Sequence, residues 1–74
     1  MSELRIMGKV GDTKVIYDKN NEDEVEAARD QFETLLEKGF TAFKVDKDGG
    51  KGRKVTKFDP KEERYILVPK IVGG

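Results

Sequence analysis

The 74-residue chain contains no cysteine and no histidine. Without thiols, neither a disulfide framework nor a thiolate metal site can brace it. Without imidazole it lacks the commonest metal ligand and the usual acid–base group near neutrality. Its one serine, Ser2, is expected in a mobile terminal stretch. A conventional catalytic triad, a zinc site and a thiol nucleophile are excluded on these grounds. Long apolar runs are also missing, so nothing in the sequence is suited to spanning a bilayer. Residues 1–5 have neither the basic start nor the apolar run of a signal peptide. Together these absences predict a cytoplasmic protein that is not an enzyme and carries no metal or cofactor.

What remains is charge and a modest apolar set. Charged residues make up 41% of the chain, with Lys+Arg and Asp+Glu balanced at 15 each, so no general attraction to nucleic acid or anionic lipid arises. The signs are uneven locally. Glu22, Asp23, Glu24 and Glu26 form an acidic block, and Lys51, Arg53, Lys54 and Lys57 a basic one. The length admits one domain with a small core, since a domain of about 60 residues buries only about 60% of its unfolded surface.

Leu4, Ile6, Gly8 and Val10 alternate with Arg5, Met7 and Lys9, the period of a half-buried strand. A turn at 11–13 leads into Lys14, Val15, Ile16 and Tyr17, a second strand of β-branched and aromatic residues. Asn21 can cap a helix, with Glu24 placed to complete a capping box. Val25, Ala28, Phe32, Leu35 and Leu36 then give one apolar stripe, and Arg29 is placed to pair with Glu33. Lys38 and Gly39 mark the stop. Residues 40–45 and 53–58 read as a hairpin, the second strand a lysine-guarded edge. Asp59 and Pro60 begin a turn. Tyr65, Ile66, Leu67 and Val68 are apolar throughout, the pattern of a central strand closed by Pro69. The order ββαβββ predicts an α+β domain over 1–68, one helix on a mixed four- to five-stranded sheet, followed by a flexible tail over 69–74. The competing arrangement is a strand, a helix and a three-stranded meander behind a disordered N-terminus.

Two internal segments suggest chemistry and are better read otherwise. The loop 46–52 mixes acids with glycines, but it lacks the closing glutamate of a calcium loop and the spacing and following helix of a phosphate loop. A turn that needs positive φ explains it. The basic strand, with Phe43 and Phe58 nearby, suggests a nucleic-acid platform. Its lysines are interrupted by Val55 and Thr56 and the chain is neutral, so edge protection accounts for them.

The C-terminal residues differ. Gly73 and Gly74 have no side chains to clash, so the backbone can thread a narrow channel and present a carboxylate. The run Ile66, Leu67, Val68, Pro69, Lys70, Ile71, Val72, Gly73, Gly74 resembles the ending of the small subunit of molybdopterin synthase and related sulfur carriers. Ubiquitin and its relatives share that ending and the β-grasp fold, whose element order matches the one read here. The resemblance implies that an ATP-dependent enzyme adenylates the Gly74 carboxylate for sulfur transfer or protein conjugation. Gly73 would keep the tail slim, and Pro69, Ile71 and Val72 would guide it into the partner. Lys70 departs from the second proline often found in sulfur carriers. The partners implied are an activating enzyme and a sulfur or conjugation acceptor. The alternative is a non-catalytic interaction module docking through a sheet face around Phe43, Val55 and Phe58.

Overall fold

A computed structural model of the protein describes residues 1–8, 11–45 and 52–70. Its elements are β1 (Ser2–Ile6), β2 (Thr13–Tyr17), α1 (Glu22–Glu37), β3 (Thr41–Lys44), β4 (Arg53–Val55) and β5 (Arg64–Val68). The strands make one five-stranded sheet in the order β2-β1-β5-β3-β4. β1 runs parallel to β5, and the other neighbouring pairs are antiparallel. With α1 covering one face, this is a small α+β domain of two layers.

β1 is shorter than the alternation suggests, and it starts earlier. Ser2 is not in a loose terminus; it opens β1, is buried, and pairs with Tyr17. The strand ends at Ile6, although the Met7 amide still donates to the Leu67 carbonyl at 2.9 Å. Lys9 and Val10, expected to continue it, lie outside the described residues, as does most of the loop 46–52. Ladders on both edges of β1 remove the competing arrangement in which the N-terminus is unpaired.

The helix is set at both ends by short-range chemistry. Asn21 Oδ1 accepts from the Asp23 and Glu24 amides at 3.1 and 3.3 Å, satisfying donors that the first turn leaves without partners. Glu24 does not close a standard capping box. One carboxylate oxygen accepts from the Asp18 amide at 2.9 Å and the other from Asn21 Nδ2 at 3.1 Å, so it ties the end of β2 to the helix. At the other end Gly39 takes φ +98°, where a Cβ would be strained. The Phe40 amide donates to Leu35 O and the Gly39 amide to Leu36 O, each at 3.0 Å, the paired bonds of a Schellman stop. Arg29 pairs backward with Glu26 at 3.1 Å rather than with Glu33, while its guanidinium lies 5.8 Å from the Phe58 ring centre.

Val25, Ala28 and Phe32 from α1 meet Leu4, Tyr17, Ala42, Tyr65 and Leu67 from the sheet in the buried core. Phe58 joins them instead of ending the edge strand expected over 53–58. β4 stops at Val55, and the chain then bends so that the Phe58 ring reaches Phe32 and Tyr65 at 5.5 Å and Tyr17 at 5.8 Å. Phe32 and Tyr65 meet edge-to-face at 5.1 Å. Filling the gap between helix and sheet outweighs continuing a solvent-facing ladder. Truncating Phe58 to Ala is therefore expected to cost about 3–5 kcal/mol, as for a core phenylalanine. Phe43→Ala, half-buried and away from this cluster, is expected to cost about 1 kcal/mol. Urea unfolding of both variants checks the pair, and equal losses would contradict the assignment of Phe58 to the core.

Candidate functional site

β5 is the central strand, and the chain leaves the sheet from its end. Ladder pairs run to Leu67 on the β1 side and to Val68 on the β3 side. Pro69 comes next and has no amide to extend either ladder. Lys70 lies over the helix stop: a Cβ placed on Gly39 would sit 3.6 Å from its Cβ and Cδ. Beside this exit is a shallow groove between the end of α1 and the β3–β4 edge, lined by Leu36, Phe40, Val55, Lys54 and Lys70 among others. Of the expected tail residues, Pro69 stands at this exit, whereas Ile71, Val72, Gly73 and Gly74 lie outside the described residues.

The exit also borders the sheet face that α1 does not cover. Successive side chains alternate between faces, so Leu4, Ala42, Tyr65 and Leu67 in the core place Arg5, Phe43, Ile66 and Val68 outside. The strand registers align Lys14, Arg5, Ile66, Phe43 and Lys54 in one row across all strands. The row is apolar in the middle and cationic at its ends. Glu3 lies in the next row, where its carboxylate meets Arg64 at 3.1 Å and Arg5 at 3.9 Å. Phe43, Val55 and Phe58, expected to share an exposed face, are therefore divided. Phe43 is on the open face, whereas Val55 pairs with Ala42 and packs against the core with Phe58. The basic block is divided as well: Lys54 joins the open face, Arg53 pairs with Lys44 on the other, and Lys51 lies outside the described residues. Ile66 and Val68, which complete the apolar centre, were visible in the sequence only as members of a continuous apolar run.

No family model, curated protein or solved structure matches this chain. The chemistry open to it is set by the geometry just described. Among the described residues no group of three acidic side chains converges as a metal site would require, and no helix is long and apolar enough to cross a membrane.

The hydroxyl groups of the core serve the fold. Tyr65 Oη accepts from the Asp59 amide at 2.8 Å and donates to the Asp59 carbonyl at 3.1 Å, fastening the turn that precedes β5. Burial, then the nearby Asp59 and Glu62 carboxylates, push its pKa up against the opposing effect of the Asp59 backbone bond. Tyr17, 1% exposed, is pushed up to about 12, first by burial and then by charge on Tyr65, Asp59 and Glu62. The Ser2 hydroxyl opposite pulls slightly the other way, although both oxygens fall outside hydrogen-bonding geometry. In the unfolded chain these phenols ionise at about pH 10. Because the folded Tyr17 value is raised, its contribution to stability is complete below about pH 10 and is lost as pH rises through about 12, and Tyr65, also raised, contributes with the same sign. Phenolate absorbance is expected to appear together with loss of helical circular dichroism across that window. Full ionisation near pH 10 with the fold intact would show that these hydroxyls reach water.

Proposed function

We propose that the protein is a ubiquitin-like carrier or modifier whose reactive group is the carboxylate of Gly74. The observation that carries this reading is the exit of the chain from the middle of the sheet. β5 is held on both edges, Pro69 ends the pairing, and a short apolar stretch with two glycines comes after it. A core-anchored strand fixes where the tail begins. The tail's small residues suit it to a narrow channel in a second protein. The two-layer build, with β1 parallel to β5 at the sheet centre, is compatible with a β-grasp fold. The partner would supply the nucleotide site. The Gly74 carboxylate would attack the α-phosphate of ATP, releasing pyrophosphate, and the acyl-adenylate would pass its acyl group to a sulfur donor or a thiol with release of AMP. The open sheet face, apolar at Ile66 and Phe43, lies next to the exit and suits contact with that partner.

The same face supports a second reading, a non-catalytic interaction module, because a row of apolar groups with cationic ends can dock a protein without any tail. Deleting Gly73 and Gly74 separates the two. With an activating enzyme, ATP and a sulfur donor, the full chain is expected to gain the mass of one sulfur in place of one oxygen at its C-terminus. The shortened chain is expected to gain none while keeping its core stability. If partner binding persists undiminished in the shortened chain and no adduct forms on the full one, the carrier reading fails and the module stands.

A further inference from the structure

β2 is the outermost strand on its side of the sheet, and the hydrogen bonds of its neighbour reveal which of its backbone groups are free. The Glu3 and Met7 amides donate to Glu63 and Leu67 across the β1–β5 ladder, both at 2.9 Å. Alternation along β1 then turns Ser2, Leu4 and Ile6 toward β2, where they pair with Tyr17, Val15 and Thr13. Lys14 and Ile16 are left with amide and carbonyl pointing away from the sheet, and no described strand lies beyond them. The opposite edge is managed differently: β4 has three residues, two of them Arg53 and Lys54, a short and charged edge that resists pairing. β2 is longer, and its Ile16 is 56% exposed, the most of any large apolar side chain within a described strand or helix.

We propose that this edge is a self-association surface, on which a second copy of the chain lays its own β2 antiparallel across a two-fold axis at Val15. That register sets Lys14 opposite Ile16 of the second copy, and the reverse. Both residues point their backbone groups outward, so each such pair exchanges two ladder bonds and every free group on the two edges is used. The lysine stem lies over the exposed isoleucine and its ammonium reaches water. The neighbouring registers are poorer. An axis at Lys14 opposes two like charges. An axis at Ile16 sets the Lys14 carbonyl against the Asp18 amide, which already donates to Glu24 at 2.9 Å. A strand whose own pattern satisfies itself crosswise fits an isologous dimer better than an arbitrary peptide. Contact through one edge falls at the low end of protein interfaces, below about 1,200 Å², so association is concentration-dependent. β2 is separated from β5 by β1, so such a dimer leaves the tail exit open, and self-association is independent of the carrier reading.

Sedimentation equilibrium across a concentration series tests it on the full chain. Average mass is expected to rise from monomer toward dimer. Ile16→Glu places a carboxylate opposite Lys14 of the second copy and is expected to keep or tighten association. Ile16→Lys opposes two ammonium groups and is expected to weaken it by about tenfold or more. Circular dichroism confirms that both variants fold, as an exposed position allows. A wild-type monomer at every concentration overturns the proposal. So does equal weakening by both variants, which would mark a general apolar contact rather than strand pairing in this register.

Discussion

Phe32 reaches from the middle of α1 into the rings of Phe58 and Tyr65, and through Phe58 to Tyr17, and these contacts tie the helix to β2, β5 and the segment after β4 at once. In a chain without disulfides, these ring contacts hold much of a small core together. Aromatic pairs of this kind contribute about 0.5–1.5 kcal/mol each beyond their area burial. The consequence for β5 is direct. Tyr65 and Leu67 are fully buried under the helix, and Tyr65 also fastens the preceding turn at Asp59. With β1 and β3 on its two edges, β5 has no freedom to shift register, because a one-residue slip would carry Tyr65 and Leu67 to the open face. The position at which the chain leaves the sheet is thus a property of the core.

Charge is organised by the same layering. The net charge of zero conceals a division: every charged side chain of α1 except Arg29 is acidic, whereas the open sheet face carries Arg5, Lys14, Lys54 and Arg64 against Glu3. Acidic residues in the first turn of α1 favour the helix through its dipole. The cations of the sheet face have no comparable internal role, apart from those near Glu3. A cationic border around Ile66 and Phe43 is what an acidic partner surface would meet.

Much of this was legible locally. Asn21, Gly39 and Pro69 act through the chemistry of their own neighbourhoods, and each ends or begins an element where expected. The helix stripe and the central position of β5 follow from periodicity and a continuous apolar run. The features that were not legible depended on partners distant in sequence. Phe58 closes the stretch 53–58, which reads as one edge strand, and only the space beneath Phe32 explains why it leaves that strand. The faces of Phe43 and Val55 depend on whether Ala42 or Phe43 points inward, and the larger ring is the one left outside. Arg29 and Glu24 each had a partner at helical spacing in the sequence. Arg29 turns to Glu26 instead, with the Phe58 ring beside it, and Glu24 keeps Asn21 through its side chain while also taking the Asp18 amide at the end of β2. Ser2 looked like a terminal residue of little consequence, yet the β1–β5 pairing draws it into the sheet.

Native-state hydrogen exchange tests the central claim most directly, since it reads the anchoring of β5 and the protection of the residues beyond it in one measurement. The amides of Tyr65, Ile66, Leu67 and Val68 are expected to exchange only through global unfolding, and the proposed carrier role requires those after Pro69 to exchange at rates near those of an unstructured peptide. Protection beyond Pro69 comparable to that of β5, or fast exchange within β5 itself, would contradict it.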